Sequence, residues 1–581
     1  MHGRRCLSDF PVSPRLGLKK WIKKLKQPPT VFLLVVVVVF LLCVTPLSGV
    51  YSVYYPDERH YTDGALQMLA TGNWLVPHTA EGEPRLVKPP ITYWLTALSF
   101  KLFGVNVFAA RLSFMILCAL ILVLTWRLGT ELSNKHEVGL LATTILAGHP
   151  QFILTASRSM PDAPLLLGIT MGLLGFARII FLGGKRSDWW LAYGGVAIAA
   201  LSKGLWALVL LGWVMCYVVV KERSLWAIRK LFYWPALFVC GVVALSWFVS
   251  IKLNPESSGL ESFLNDQVTG RITHSWIVSV GLLVVGVLAV VFNFLPWSLP
   301  VLESIKAGRC KSDLSVLSQD ELVFLLGWAV VNVVVVALGN SASLRYYLIS
   351  APALSVVSSS ILVASVQSLK FWTLQRVLYL TGWVVVVGIL GLTGFYFVRM
   401  VQAGGSGLRE IIFGLFTLVC IGMVWFVNAS LRVWMPFRIT CSILFLFSVL
   451  GMAPVVSGVQ DKAVQIAGTL KRLKISPCES VLFVGKAPVA SRVRVCTGGS
   501  FLIRAVKELD PTNYDKYRVV VGGIEVLRPL VDLGYRLCPA GVGVEMVTPR
   551  DWPWTRLWHP SEFFKQIIRF EQYFVAVKEQ K

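Results

Sequence analysis

Long uninterrupted apolar runs are the feature that most constrains how this chain can fold. Val31–Leu42 contains no polar side chain, and it lies within a longer, mostly apolar stretch, Thr30–Val50. A helix needs about 20 consecutive apolar residues to cross the hydrocarbon core of a bilayer. Continuous runs also lack the two-residue alternation of an outer-membrane β-barrel. The sequence therefore predicts a polytopic α-helical membrane protein.

The composition supports the same class. Hydrophobic residues make up 55% of the 581 residues and charged residues only 15%, and the mean hydropathy is +0.68. Soluble domains carry about 25% charged residues. The net charge of +24 comes from Lys and Arg in the loops between apolar runs. Because this charge is not gathered on a polar domain, a soluble nucleic-acid-binding protein is excluded.

About thirteen segments are predicted to cross the membrane. They are Thr30–Val50, Phe108–Leu128, Val138–Ala156, Pro164–Phe181, Trp190–Ser202, Leu205–Val220, Leu231–Ile251, Trp276–Leu295, Leu322–Leu338, Leu344–Ser365, Phe371–Val398, Ile411–Val427 and Val433–Val456. The fifth and sixth are short, so a re-entrant pair is an alternative to two full crossings. The first is predicted to be an uncleaved signal-anchor, because its apolar region exceeds that of a signal peptide.

The distribution of Lys and Arg predicts the orientation, because cytoplasmic loops carry an excess of both. Residues 1–29 form a basic segment that is expected in the cytoplasm, and residues 30–457 form the membrane domain. An odd number of spans then places residues 458–581 on the outer side. This tail is predicted to form a small α/β domain, with an amphipathic helix at Ala463–Leu473 and apolar strands at Ser480–Gly485 and Tyr517–Gly523. Its cysteines, Cys478, Cys496 and Cys538, allow one disulfide and leave one thiol over.

The first outer loop, residues 51–107, is the most informative region. Loops longer than about 15 residues in a compact protein tend to be functional. This loop carries the acidic pair Asp57-Glu58 directly after the first span and Lys88 further along. Its aromatic and apolar content predicts short helices lying in the membrane interface.

Further charged residues are expected on the same side of the membrane, at the ends of later spans. They are Asp162, Lys203, Arg271 and Arg345, the last followed by Tyr346 and Tyr347. Charged groups at membrane depth are costly and usually face a cavity or a partner. One interpretation is structural: Lys203 and Arg345 snorkel, and Asp57 pairs with Arg59 or Lys88. The other is a shared site, in which the cations bind a phosphate and Asp57 takes a proton from an acceptor hydroxyl.

Several motifs carry a resemblance to a known family. They are Asp57-Glu58-Arg59-x-Tyr61, Gly72-Asn73-Trp74, Lys88-Pro89-Pro90-x-x-Tyr93-Trp94, Phe108-Ala109-Ala110-Arg111-Leu112, Ser202-Lys203-Gly204 and Phe263 through Gly270-Arg271. In order and spacing they resemble the GT-C integral-membrane glycosyltransferases. The branch in question holds the lipid A 4-amino-4-deoxy-L-arabinose transferases and the protein O-mannosyltransferases. The resemblance covers about residues 51 to 352, and the tail is similar only in being a small outer domain.

The resemblance implies an inverting transfer of sugar from a polyprenyl-phosphate donor at the outer face of a bacterial inner membrane, to lipid A or a similar lipid. At the matching positions, Asp57 would be the catalytic carboxylate and Asp162 a second acid at the cavity. The donor phosphate or substrate would be bound by Lys88, Lys203, Arg271, Arg345, Tyr346, Tyr347 and Glu58.

Two departures from the family pattern concern the metal and the substrate. Where aminoarabinose enzymes can carry an acid before Lys88, this chain has Val87, which puts a metal site using that acid in doubt. Asp57-Glu58 could hold a divalent ion, but no third ligand is evident, so no cofactor is predicted. Relatives often have Lys where this chain has Arg345, and Leu-Pro where it has the segment from Ile349 to Pro352. These differences leave the identity of the substrate open.

Two alternatives remain open at this point. A protein O-mannosyltransferase would use the same donor class but a Ser or Thr acceptor on an exported chain. A transporter or flippase for anionic lipid would also use a basic cavity. It would be expected to show internal repeats with paired broken spans, and no such halves are visible in the sequence.

Overall fold

The structure, a computed structural model, describes most of the chain between Pro29 and Lys578. The described residues are 29–51, 54–253, 276–306, 315–339, 343–365, 407–426, 435–458, 460–476, 479–509, 516–546, 566 and 568–578, with short pieces between 380 and 401. Below, the first loop means residues 51–107 and the C-terminal domain means residues 458–581. These domain boundaries and the predicted orientation of the termini stay predictions.

The membrane domain is built from helices. They are α1 Pro29–Ser48, α2 Glu58–Thr71, α3 Ile91–Phe103, α4 Val107–Ser133, α5 His136–Ala147, α6 Pro150–Ala156, α7 Asp162–Phe181, α8 Arg186–Lys203, α9 Leu205–Glu222, α10 Trp234–Leu253, α11 Trp276–Asn293, α12 Ser298–Lys306, α13 Gln319–Leu338, α14 Ala351–Ser365, α15 Leu408–Phe426 and α16 Met435–Ser457. Two 3₁₀ helices, Leu225–Leu231 and Leu344–Ser350, lie between them. The predicted polytopic helical class is confirmed.

The predicted count of thirteen spans is not confirmed. Within the described residues, eight helices are long and apolar enough to cross a membrane, or nine if α5 and α6 form one span with a bend of 71°. The predicted fifth span is present as α8, but its 18 residues include Arg186, Asp188 and Lys203. The predicted span Phe371–Val398 lies largely outside the described residues.

Close packing of α7 against α8 positions part of the site. A Cβ added at Gly168 would lie 2.6 Å from the backbone oxygen of Gly195, and one at Gly175 would lie 2.5 Å from the nitrogen of Ala192. Small residues of this kind let two membrane helices approach until their backbones touch. Because the helices are antiparallel and consecutive, the first residue of α7, Asp162, comes beside the last of α8, Lys203.

The first loop contains the two predicted short helices, α2 and α3. Gly72 ends α2 in the left-handed conformation, with φ of 73°, and its amide donates to the oxygen of Met68. Glycine reaches this conformation without steric cost. The side-chain oxygen of Asn73 then accepts from the amides of Leu75 and Val76. These bonds fix the direction in which the chain leaves α2.

The C-terminal domain packs helices on a five-stranded sheet of order β2-β1-β3-β5-β4. Its elements are α17 Lys462–Arg472, β1 Ser480–Val484, α18 Ala487–Cys496, β2 Leu502–Val506, β3 Val519–Gly522, α19 Ile524–Leu527, the 3₁₀ helix Arg528–Leu533, β4 Tyr535–Met546 and β5 Ile568–Lys578. The pairs β1–β2 and β1–β3 are parallel, whereas β3–β5 and β4–β5 are antiparallel. Cys496 and Cys538 carry free thiols, and Cys478 lies outside the described residues.

Candidate active site

A cavity of about 390 Å³ opens where the first loop meets the membrane helices. One side is polar and carries five charged side chains, from Asp57, Arg85, Lys88, Lys203 and Arg345. The other side is apolar and is formed by α9 and α13. Its residues are Leu205, Trp206, Val209, Val335, Val336 and Leu338. The cavity can therefore receive a molecule with an anionic head and an apolar chain.

Asp57 lies at the start of α2 and faces the cavity. One of its oxygens, Oδ2, is 3.3 Å from Nη2 of Arg345, and 48% of the Asp57 side chain is exposed. Asp57 thus pairs with Arg345, a partner that the structural alternatives weighed from the sequence, Arg59 and Lys88, did not include. The long distance and the exposure leave this carboxylate accessible to a ligand.

Arg345 and Tyr346 lie side by side in the 3₁₀ helix and both line the cavity. Arg345 donates through Nη2 to the hydroxyl of Tyr346 at 3.3 Å. Its guanidinium also lies 4.6 Å from the centre of the Tyr55 ring. Aromatic faces attract cations at such distances, so the two tyrosines hold this guanidinium at the cavity wall.

Asp162 and Lys203 form a buried ion pair rather than two separate ligands. Nζ of Lys203 is 2.7 Å from Oδ1 of Asp162, and neither side chain is more than 9% exposed. Lys203 lines the cavity and lies 4.6 Å from the ring centre of Tyr346, whereas Asp162 does not line it. The expected second acid at the cavity is thus corrected: Asp162 lies behind Lys203 and orients it.

Glu58 is also corrected, because its carboxylate is fully engaged inside the protein. Both of its oxygens accept from Arg111, at 2.7 and 2.8 Å, and Oε1 accepts the amide of Ser159 at 3.0 Å. The Arg111 guanidinium in turn donates to the oxygen of Val50 at 2.6 Å. Glu58 and Arg111 are 1% and 0% exposed. Glu58 therefore joins the first loop to α4.

Tyr347 points away from the cavity, against the prediction. Successive side chains of a 3₁₀ helix point about 120° apart, and Arg345 and Tyr346 line the cavity whereas Tyr347 does not. Tyr347 packs instead in an apolar cluster with Ala289, Val333 and Val336. Lys88 lines the cavity, and Arg271 lies outside the described residues.

Three further residues belong to this region and were not singled out in the sequence. Arg85 lines the cavity. Two guanidinium groups lie near the centre of the Tyr55 ring, that of Arg158 at 5.5 Å and that of Arg345 at 4.6 Å. Burial raises the pKa of Tyr55, although Arg345 acts to lower it, and burial lowers the pKa of Arg158 to about 10. The nearest sequence signal was proximity: Tyr55 precedes Asp57 by two residues, and Arg158 precedes Asp162 by four.

The charge balance of the cavity favours an anion. Four lining cations, from Arg85, Lys88, Lys203 and Arg345, face the carboxylate of Asp57 and, behind Lys203, that of Asp162. The excess of two positive charges is suited to a phosphate monoester or diester. Among the described residues, no group of three or more His, Cys, Asp or Glu side chains could hold a metal ion.

A solved structure with the same architecture is ArnT from Cupriavidus metallidurans bound to undecaprenyl phosphate. The TM-score is 0.67 at 17% sequence identity, and the match covers 97% of this chain and 100% of that one. The chain has the GT-C fold. Because the match extends over nearly the whole chain, it includes most of the C-terminal domain as well as the membrane helices.

Sequence comparisons agree with the GT-C recognition made from the loop motifs, which is confirmed at the level of the superfamily. The family model of dolichyl-phosphate-mannose-protein mannosyltransferase matches residues 30–254. A protein of Aquifex aeolicus is 32% identical over 238 residues, which cover 41% of this chain and 47% of the relative. An undecaprenyl phosphate-alpha-4-amino-4-deoxy-L-arabinose arabinosyl transferase of Aeromonas hydrophila is 24% identical, over 50% of this chain and 53% of the relative. The chain thus spans about half the length of these curated relatives.

Proposed function

We propose that the protein is an inverting glycosyltransferase that moves a sugar from a polyprenyl-phosphate carrier to an envelope acceptor. The acceptor proposed is lipid A or a similar lipid. One observation carries the proposal: the cavity joins a cationic wall and an apolar wall and leaves the carboxylate of Asp57 accessible. The GT-C fold supports the reaction class.

The two walls bind different parts of the donor. The apolar side chains of α9 and α13 contact the isoprenoid chain, because burial of apolar surface is favourable. The phosphate lies against Lys88, Lys203 and Arg345, since Arg and Lys bind phosphate through charge-assisted hydrogen bonds. Tyr346 holds two of these cations in place. Its ring centre lies 4.6 Å from Nζ of Lys203, and its hydroxyl lies 3.3 Å from Nη2 of Arg345.

In the reaction, an oxygen of the acceptor attacks the anomeric carbon of the sugar. The bond from that carbon to the phosphate oxygen breaks, and the carrier phosphate leaves with the electron pair. Asp57 takes the proton of an acceptor hydroxyl; if the acceptor is an ionised phosphate, Asp57 orients it instead. The cations stabilise the departing phosphate, and loss of one such donor in enzymes typically costs about 10²–10³-fold in rate.

The names of the relatives support the choice of donor and acceptor. A GT-C structure of similar fold was solved with undecaprenyl phosphate, and several curated relatives are named undecaprenyl phosphate-alpha-4-amino-4-deoxy-L-arabinose arabinosyl transferases. The proposed location follows: a bacterial inner membrane, with a cytoplasmic N-terminus and with the cavity and C-terminal domain facing the periplasm.

A second candidate is a protein O-mannosyltransferase. It is favoured by the match of residues 30–254 to the dolichyl-phosphate-mannose-protein mannosyltransferase model. This reaction would use the same cavity and the same donor class, with a Ser or Thr hydroxyl as acceptor. The two candidates therefore differ in the acceptor, and Asp57 takes the proton in both wherever the acceptor is a hydroxyl.

The test is mass spectrometry of extracted envelope lipids and glycoproteins from cells that express wild type, Asp57→Asn or Glu525→Gln. The control changes a carboxylate to an amide at an exposed residue of the C-terminal domain that does not line the donor cavity. We expect a saccharide on lipid A or another lipid in wild type and the control, and its loss in Asp57→Asn.

The other outcomes are equally informative. A hexose lost from proteins instead of lipids would select the O-mannosyltransferase. A third outcome is that neither the lipids nor the glycoproteins change although the Asp57→Asn protein is present at wild-type level. In that case the transferase assignment fails, and a transporter of anionic lipid becomes the better hypothesis.

A further inference from the structure

Helix α2 has two opposite functional faces. Asp57 and Tyr61 line the donor cavity. Asp63, Leu66, Gln67 and Ala70 line a second cavity of about 540 Å³, whose remaining walls come from residues 80–83 of the first loop and from the C-terminal domain. Successive residues of an α-helix turn by about 100°, which places these two sets on opposite sides of α2. The helix that begins beside Asp57 is therefore bounded by the C-terminal domain on its far side.

The contact between α2 and the C-terminal domain is polar and buried. Nη1 of Arg494 in α18 lies 2.7 Å from Oδ1 of Asp63, and both side chains are 9% exposed. Ser491, one turn earlier in α18, donates to the same carboxylate at 2.9 Å. Its hydroxyl is also 3.3 Å from that of Thr62. Nonpolar packing continues the contact, because Val495 joins the buried cluster of Tyr61, Ala65 and Met68.

A second contact from α18 reaches the segment that precedes α2. The guanidinium of Arg492 lies 4.6 Å from the ring centre of Tyr54 and 5.6 Å from that of Tyr51, and it is held by Asp461 at 2.6 Å. The ring of Tyr51 also lies 5.2 Å from Arg111, the residue that binds Glu58. The C-terminal domain thus contacts the chain on both sides of Asp57.

Buried ion pairs and hydrogen bonds depend steeply on direction, unlike apolar contacts, and their loss leaves an uncompensated charge. A helix held by such bonds on one face presents the residues of its other face at defined positions. We propose that the C-terminal domain positions Asp57 for catalysis through the contact of Arg494 and Ser491 with Asp63, with Arg492 fixing the preceding segment. The inference rests on the proposed function, and it makes Asp63 and Arg494 positioning residues rather than catalytic ones.

Four variants separate positioning from general damage to the fold. Asp63→Asn removes the charge on α2 while keeping the shape of the side chain. Arg494→Lys keeps the ion pair that Arg494→Gln would abolish. Glu571→Gln is the matched control, because it removes a carboxylate paired with Lys462 at 2.6 Å within the C-terminal domain and away from α2.

Each variant is compared with wild type in three measurements: transfer product per cell at equal protein level, affinity of the purified protein for undecaprenyl phosphate, and hydrogen exchange of the α2 amides. We expect Asp63→Asn and Arg494→Gln to lose about tenfold to hundredfold in product, because a displacement of about 1 Å can cost ~10²-fold. Their affinity should stay within about twofold of wild type, because the phosphate-binding cations are intact, and their α2 amides should exchange faster. Arg494→Lys should regain most of the product, and Glu571→Gln, although it removes the counter-charge of the buried Lys462, should keep wild-type product and wild-type exchange in α2.

The inference fails if product is unchanged in Asp63→Asn, or if the control loses as much product as the α2 variants. It fails also if exchange in α2 does not change. Should wild type form no product, the proposed transferase is wrong. The exchange of the α2 amides then decides by itself whether the C-terminal domain holds this helix.

Discussion

Two ion pairs on α2 differ in a way that separates reactivity from support. At the cavity, Asp57 and Arg345 are 3.3 Å apart and the carboxylate is half exposed. On the opposite face, Asp63 and Arg494 are 2.7 Å apart and both are buried, and Asp63 accepts a further bond from Ser491. A carboxylate with a distant partner can exchange it for a ligand, whereas a buried carboxylate in an ion pair loses much more free energy on doing so.

The same contrast holds between neighbours in the sequence. Asp57 faces the cavity, but Glu58 is saturated by Arg111 and Ser159. The site therefore consists of one accessible acid surrounded by acids that have become structural, namely Glu58, Asp63 and Asp162. This distinction can be tested by changing one acid of each kind.

The largest expected effect separates Glu58→Gln from Asp57→Asn. Glu58→Gln leaves Arg111 buried without its counter-charge, and breaking a buried pair in this way costs about 3–5 kcal/mol. Asp57→Asn is a half-exposed change, for which the stability effect should stay within about 0.5 kcal/mol. Thermal unfolding in detergent measures both. Equal destabilisation by the two variants would remove the contrast between the two acids.

A smaller effect tests whether Asp162 acts only through Lys203. Lys203→Met leaves Asp162 buried without the cation that donates to it, whereas the double variant Lys203→Met/Asp162→Leu removes both charges. Residues in direct contact show coupling energies of about 0.5–3 kcal/mol. We expect the double variant to regain stability but not transfer activity, because the cation of the cavity is still missing.

The measurement is a double-mutant cycle on unfolding, together with the lipid analysis described above. Asp162→Leu alone serves as the third corner of the cycle. Transfer activity in the double variant would show that Lys203 is dispensable for binding the donor. Additive stability effects would contradict the ion pair itself.

The membrane helices could be predicted because long apolar runs leave a chain few alternatives. The break between α5 and α6 could not, since Val138–Ala156 reads as one apolar segment. Pro150 lacks an amide hydrogen, but hydropathy does not register this, and the result is a 71° bend. In the C-terminal domain, β1 and β3 were recognised from continuous apolar residues. The strands β2, β4 and β5 mix polar and apolar side chains and were missed.

For the site, the sequence indicated which residues gather but not which way they point. In the sequence, Asp57 and Glu58 are two adjacent acids that cannot be told apart. In the structure, at the start of α2, Asp57 faces the cavity and Glu58 faces Arg111. Asp162 and Lys203 were expected on the same side of the membrane. That they form an ion pair depends on the close contacts of α7 and α8 at glycines. These orientations depend on tertiary packing, which no short motif contains.

The smallest expected effect concerns two adjacent phenols. Tyr346→Phe removes a hydroxyl that accepts from Arg345, so donor binding should weaken by about 0.5–1.5 kcal/mol. Tyr347→Phe removes a buried hydroxyl that has no hydrogen-bond partner within the described part of the chain, and loss of an unsatisfied polar group is neutral or stabilising. Affinity for undecaprenyl phosphate and thermal unfolding compare the two variants, each serving as the control for the other. Weaker binding by Tyr347→Phe would mean that both phenols contact the donor, contrary to the position of Tyr347 outside the cavity lining.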